Sequence, residues 1–163
     1  MGAWVWTEER VRDALELTPG RADPERAYTG VATDSRSVEE GELFVALEGD
    51  RFDGHDFVAD AAAAGAAGAV VSRPVAGAEK IPIYPVGDTL LALGRLARHR
   101  RRALDATVVG VTGSSGKTTT RELVRGALEG SFRVHATEGN LNNRIGLPLT
   151  LLAAPDEAEV VIL

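Results

Sequence analysis

The 163-residue sequence predicts an α/β fold, and three observations carry that expectation. Short apolar runs of strand length alternate with stretches whose apolar residues recur at helical spacing, the pattern of strands joined by helices. One junction, at residues 107–129, is a glycine-rich loop between a β-branched run and a helical stretch. Hydrophobic residues make up 44% of the chain and charged residues 26%, which supports a folded core and excludes a disordered composition.

The formal net charge of -6 argues against general nucleic-acid binding, which needs a basic field to displace condensed counterions. An anionic small substrate is still compatible, because one loop can be locally positive on an acidic protein. The absence of cysteine excludes disulfides and thiolate metal sites. The opening MGAWVWTEER lacks the charged and long apolar regions of a secretory signal. The longest apolar stretch, about Ala61 to Val71, is mostly Ala and Gly and too short to span a bilayer. A soluble, cytoplasmic protein without membrane insertion is expected.

Taken in order, Thr7 followed by Glu8 and Glu9 reads as a helix cap with acids in the first turn. Val11, Ala14 and Leu15 share a face, and Pro19-Gly20 closes the segment. Residues 29–34 and 42–47 read as strands separated by a turn at Glu39-Glu40-Gly41. A polar loop from Arg51 to Gly54 leads into a helix from His55 to about Gly65, with Phe57, Ala61 and Ala64 on one side. GAVVS (68–72) and IPIYPV (81–86) suit buried strands. Asp88 can cap a helix running to about Arg102, with Leu90, Leu93 and Ala97 on a shared face. Its basic end, Arg98 to Arg102, reads as a solvated face that complements the helix dipole. The expected division is a small N-terminal α/β domain at 1–87, a linker helix at 88–104 and the start of a phosphate-loop domain at 105–163. Pro155-Asp156 marks a turn, and AEVVIL begins a further strand, so the sequence is expected to be the N-terminal part of a longer enzyme.

The glycine-rich loop carries the chemistry. Thr107, Val108, Val109 and Val111 form a β-branched run, Thr112-Gly113-Ser114-Ser115-Gly116-Lys117-Thr118 follows, and Leu123, Val124, Ala127 and Leu128 continue at helical spacing. Strand, glycine loop and helix are the context a nucleoside triphosphate site requires. Gly113 and Gly116 let backbone N–H groups curl around phosphate oxygens, and the helix start aims its unpaired N–H groups at the anion. Lys117 can reach the β- and γ-phosphates, and Thr118 is the expected hydroxyl ligand of Mg²⁺. The strict pattern would place glycine at 111, whereas this chain has Val111 with Gly110 one place early. The loop is therefore a variant.

TGSSGKTTT (112–120) resembles the ATP loop of the Mur ligases, the amino-acid-adding enzymes of peptidoglycan synthesis. GNLNNRIGLPLTLL (139–152) is similar to the segment that follows that loop. TDSRSVEEGELFVALEGDRFDGHDFVADAAAAGA (33–66) resembles the family's N-terminal UDP-substrate domain. The Asn-Leu-Asn-Asn form points to the branch that adds D-alanyl-D-alanine to UDP-N-acetylmuramoyl-tripeptide, over its sibling that adds the third amino acid.

The resemblance implies an ATP- and Mg²⁺-dependent ligation through an acyl phosphate, and a monomer when full length. Its ATP-binding residues would be Gly113, Ser114, Ser115, Gly116, Lys117, Thr118 and Thr119, with Lys117 catalytic. Asp34, Ser35 and Arg36 become substrate candidates, Arg36 pairing with a diphosphate or uridine group; without the family they read as a turn with an exposed arginine. His55 reads as a capping or packing residue rather than a catalytic base, and it is carried only as a substrate-domain candidate. Asn140, Asn142 and Asn143 could hold a loop or substrate, or form a turn with a helix cap before Ile145, Leu149 and Leu152. The family's Mg²⁺-binding glutamate, modified lysine and C-terminal domain are expected beyond Leu163, so this polypeptide alone is expected to lack ligase activity. Two other classes stay open: a non-catalytic UDP-sugar-binding module with a vestigial loop, and a generic kinase or GTPase.

Overall fold

The computed structural model describes residues 4–18, 22–49, 52–137 and 143–163. Pro19-Gly20, Arg51, Asn140 and Asn142 lie outside the described residues. The chain forms two compact units, Met1–Leu96 and Ala97–Leu163.

The first unit opens with β1 (Trp6–Thr7) and α1 (Glu8–Ala14), and Thr7 caps that helix by accepting the Arg10 N–H at 3.3 Å. β2 (Ala27–Tyr28) pairs antiparallel with β1 in a two-residue ribbon that the sequence pattern did not announce. Glu8 is buried, a costly position for a carboxylate, and it is met by the Arg26 guanidinium at 2.8 Å and the Asp23 N–H at 3.0 Å.

A four-stranded parallel sheet follows, built from β3 (Val31–Ala32), β4 (Leu43–Val45), β5 (Gly68–Val71) and β6 (Ile83–Pro85) in that order. The ladders are shorter than the expected strands at 29–34 and 42–47. β4 and β5 are buried along their whole length, which is why their sequences read as unbroken apolar runs. Between them, a 3₁₀ turn (Gly54–Phe57) leads into α2 (Val58–Ala64). That helix buries Val58 and Ala61 against Phe44, Ala46, Ala69 and Val71. The many alanines fit this contact, since small side chains let the helix lie close to the sheet. Phe57, expected on one helix face with Ala61 and Ala64, is instead 37% exposed because the 3₁₀ turn rotates it away from the face that Val58 occupies.

Tyr28 and Tyr84 are fully buried, edge to face at 6.2 Å between ring centres, and their hydroxyls share a hydrogen bond. Burial pushes both phenols above their ordinary pKa.

α3 (Thr89–Ala103) is the expected helix from Asp88, whose carboxylate accepts the Leu91 N–H at 2.8 Å. The compact units divide within it, between Leu96 and Ala97. In the second unit, β7 (Thr107–Val109), α4 (Lys117–Leu128), β8 (Val134–Ala136), α5 (Gly146–Leu152) and β9 (Val160–Ile162) make a three-stranded parallel sheet ordered β7-β9-β8. β9 is central and buried, and Val161 packs with Leu104, Ala154 and Ala158. The basic run at the end of α3 is not uniformly solvated. Arg100 is 3% exposed and donates to the Ala154 carbonyl and the Asp156 carboxylate, both at 2.7 Å. On α4 the expected apolar face is poorly covered, with Leu123 70% exposed. Among the described residues, no helix is long and apolar enough to cross a membrane.

Candidate functional site

The phosphate loop lies at the carboxyl edge of the second sheet. Val109, Ile162 and Ala136 end their strands in register, and the ladder continues with Val111 N–H to the Leu163 carbonyl at 2.7 Å. Ligands of open parallel sheets gather outside that edge. From there the chain turns through Thr112–Gly116 into α4. Gly116 sits at φ +75° as the residue before the helix, in the left-handed region that glycine enters without strain. The first helical bond is Thr120 N–H to the Gly116 carbonyl at 2.8 Å, so the N–H groups of Lys117, Thr118 and Thr119 precede the ladder. Lys117 folds back, its Nζ donating to the Gly113 carbonyl at 2.6 Å. An ammonium held by one exposed backbone carbonyl is free to exchange that partner for a phosphate oxygen. Ser114, Ser115, Thr118 and Thr119 are all exposed around the loop.

On the same edge, Thr137 is buried, and both its N–H and hydroxyl donate to the Ile162 carbonyl, at 3.0 and 3.3 Å. Asn143 accepts the Ile145 and Gly146 N–H groups at 3.0 and 2.7 Å through Oδ1. It therefore caps the start of α5.

In the first unit a cleft of about 550 Å³ opens at the carboxyl ends of β3 and β4. Thr33, Asp34, Ser35 and Arg36 form one wall, while Leu47, Phe52, Gly54, Phe57 and Asp60 line the remainder with Phe44. Arg36 is 87% exposed in its side chain and grips Asp34 through two bonds, Nε to Oδ1 at 2.9 Å and Nη2 to Oδ2 at 2.6 Å. Arg36 holds the Asp34 carboxyl down at about 2, chiefly through those side-chain bonds and then through its N–H. The arginine is thus presented already splinted, in a conformation a bidentate anion can meet.

His55 does not line the cleft. It is 4% exposed, with Nδ1 on Asp53 Oδ1 at 2.5 Å and Nε2 accepting the Ser72 N–H at 2.8 Å. Asp53 also takes the His55 N–H at 2.9 Å and the Arg73 guanidinium at 2.9 Å. Its carboxyl is held at about 2, first by the His55 N–H and then by the His55 and Arg73 side chains. This brace ties the segment ahead of α2 to the residues that follow β5. Gly54 completes it by necessity of space, since a Cβ there would stand 2.8 Å from the Leu47 backbone N and O. Asp53, Arg73 and the cleft residues Phe52 and Asp60 were not singled out in the sequence, and Phe57 was read there only as part of a helix face. The local Asp-Gly-His spacing was the available sign of the first, whereas Arg73 is brought in only by the sheet. Among the described residues, no cluster of three metal-ligating side chains occurs.

Fold and site together define a two-unit α/β protein of the phosphate-loop class. Residues 27–101 match the model of the Mur ligase family catalytic domain, and residues 111–163 match the Mur ligase middle domain. The chain belongs to the Mur ligase family. It is 45% identical over 158 residues to the UDP-N-acetylmuramoyl-tripeptide–D-alanyl-D-alanine ligase of Bacillus subtilis, an alignment covering 94% of this chain and 35% of the relative. It superposes on the crystal structure of MurF from Acinetobacter baumannii with a TM-score of 0.87 at 37% identity, covering 100% of this chain and 36% of that one. MurF ligase from Thermotoga maritima in complex with ADP matches with a TM-score of 0.74 at 39% identity, over 82% of this chain and 31% of that one. The chain thus spans about a third of the length of these relatives.

Proposed function

We propose that this chain is the nucleotide-handling part of a peptidoglycan-precursor ligase that joins D-alanyl-D-alanine to UDP-N-acetylmuramoyl-tripeptide at the expense of ATP. The observation that carries the proposal is the phosphate loop, with its left-handed Gly116, its uncommitted first-turn N–H groups on α4 and Lys117 held by a single exchangeable bond. The Bacillus subtilis relative, named for that ligation, and the ADP complex of the Thermotoga maritima relative support it.

In this reading Gly113, Ser114, Ser115, Gly116, Lys117, Thr118 and Thr119 hold ATP. Lys117 moves from the Gly113 carbonyl to the β- and γ-phosphates. The substrate carboxylate oxygen attacks the γ-phosphorus, and the bond to the ADP oxygen breaks, leaving an acyl phosphate. The amine nitrogen of D-alanyl-D-alanine then attacks the acyl carbon, and inorganic phosphate leaves. Two anions must approach one another in the first step, so Lys117 and the N–H groups of the loop are needed where negative charge concentrates. Thr118, an exposed hydroxyl on the first turn of α4, would hold Mg²⁺. When bound it would neutralise phosphate charge.

The cleft of the first unit takes the UDP end of the other substrate, with Asp34, Ser35 and Arg36 as its polar wall. His55 braces that wall's opposite loop, and Asn143 is a proposed substrate residue that also caps α5. Asn140 and Asn142 remain proposed substrate residues on sequence grounds. The reading carries a cytoplasmic location, a monomer when full length, and no nucleic-acid partner. Its test is a chimera in which residues 1–163 replace the matching segment of the Bacillus subtilis ligase. ADP release should require UDP-N-acetylmuramoyl-tripeptide and D-alanyl-D-alanine; dependence on diaminopimelate or lysine instead would sink the assignment.

A further inference from the structure

Ser72 follows directly on β5, at the carboxyl end of a buried parallel strand, and is itself exposed. Its hydroxyl lies 3.1 Å from Nε2 of the buried His55, whose Nδ1 is 2.5 Å from Asp53 Oδ1. Nε2 also accepts the Ser72 N–H at 2.8 Å, so that nitrogen carries the lone pair and Nδ1 the proton. The Ser72 hydroxyl can therefore only donate to Nε2. Asp53 is fixed in turn, with Oδ2 taken by the Arg73 guanidinium and Oδ1 by the His55 N–H, both at 2.9 Å. Hydroxyl, imidazole and carboxylate thus stand in the sequence of contacts and the tautomer that nucleophilic serine catalysis needs, whatever their order along the chain. The brace between the two segments is complete with the Ser72 N–H alone. The hydroxyl is surplus to it.

Ser72 opens on a pocket of about 550 Å³ that Glu48, Asp88, Thr89 and Leu90 also line. Thr89 and Leu90 begin α3. Asp88 accepts the Leu91 N–H at 2.8 Å through its carboxylate and the Ala92 N–H at 3.0 Å through its carbonyl. The N–H groups of Thr89 and Leu90 therefore precede the helical ladder, where such donors suit the oxygen of a tetrahedral intermediate. Both charged lining residues, Glu48 and Asp88, are acidic, which disfavours an anionic acyl group.

We propose that Ser72, His55 and Asp53 form a second catalytic centre, an esterase site for small uncharged esters with Ser72 Oγ as its nucleophile. It is independent of the ligase reading. Ser72 Oγ attacks the ester carbonyl carbon and its proton passes to His55 Nε2. The C–O bond to the alcohol breaks, the leaving oxygen takes that proton, and Ser72 is left acylated. Water, losing a proton to the same Nε2, then attacks the acyl carbon, and the carboxylic acid leaves as Ser72 Oγ recovers its proton. Because the Ser72 N–H shares the Nε2 lone pair, the base is weakened, and esters with a good leaving group are the ones that react.

Treatment of the 163-residue chain with diisopropyl fluorophosphate, followed by intact-mass and peptide mass spectrometry, tests the nucleophile. Release of p-nitrophenolate from p-nitrophenyl acetate tests turnover. The expected result is an adduct on Ser72 that does not form in urea, and turnover that Ser72→Ala lowers at least about tenfold. That substitution keeps the N–H bond to His55, so its melting temperature should match the parent's. His55→Gln should slow phosphorylation of Ser72 at least about tenfold. A Ser72 that stays unmodified, an adduct that forms equally in urea, or turnover that Ser72→Ala leaves unchanged would each overturn the site.

Discussion

At Gly116 the backbone φ is +75°, and nothing lies within 4 Å of where a Cβ would stand. Substitution there is disfavoured by conformation and not by crowding. Gly116→Ala should therefore cost about 1–2 kcal/mol in thermal or denaturant unfolding, the penalty of a left-handed alanine, and should reduce nucleotide affinity as the loop relaxes. Asp53 gives a prediction with a sign. Its folded pKa, about 2, lies below the ordinary carboxylate value of about 3.9. The stabilisation it contributes is thus fully present above about pH 4 and lost as pH falls through about 2. The difference in melting temperature between the parent chain and Asp53→Asn should be constant from pH 7 to 5 and shrink between pH 4 and 2. A difference that stayed constant to pH 2 would remove the brace from the account. The pairing of Asp34 with Arg36 is equally short but exposed, and screening there makes it a matter of presentation, not stability.

Among the elements, local chemistry decided what could be read in advance. The capping hydroxyl of Thr7, the buried runs of β4 and β5, the helix from Asp88 and the loop before Lys117 were all legible, because each is specified by neighbours in sequence. β8 was not. Its residues are only half-buried at the edge of the second sheet, and Arg133 and His135 interrupt any apolar alternation. Phe57 was misplaced because a 3₁₀ turn and an α-helix put the same residue on different faces. Arg100 was misread as solvated because its partners, Ala154 and Asp156, lie more than fifty residues away. The cleft shows the same division: Asp34, Ser35 and Arg36 form a local turn, whereas the facing Phe52 and Asp60 meet them only through the sheet. Arg100→Met should destabilise the chain by about 1–3 kcal/mol, since the Ala154 carbonyl is left without its buried donor. Replacing exposed Arg102 with Met should change stability by less than about 0.5 kcal/mol.

For the whole molecule, two compact units that each carry one of the proposed nucleotide sites make separable demands. UDP should protect residues 1–96 from hydrogen exchange and ATP residues 97–163, each leaving the other region unchanged in the isolated chain. Because the chain spans about a third of its relatives, it should bind ATP without releasing ADP in response to D-alanyl-D-alanine. The most direct test of the phosphate-loop assignment is calorimetric titration of the 163-residue chain with ATP and Mg²⁺, alongside Lys117→Ala. The account predicts saturable binding at one site, weakened at least tenfold by the substitution. Absence of binding, or binding that Lys117→Ala leaves unchanged, would contradict it.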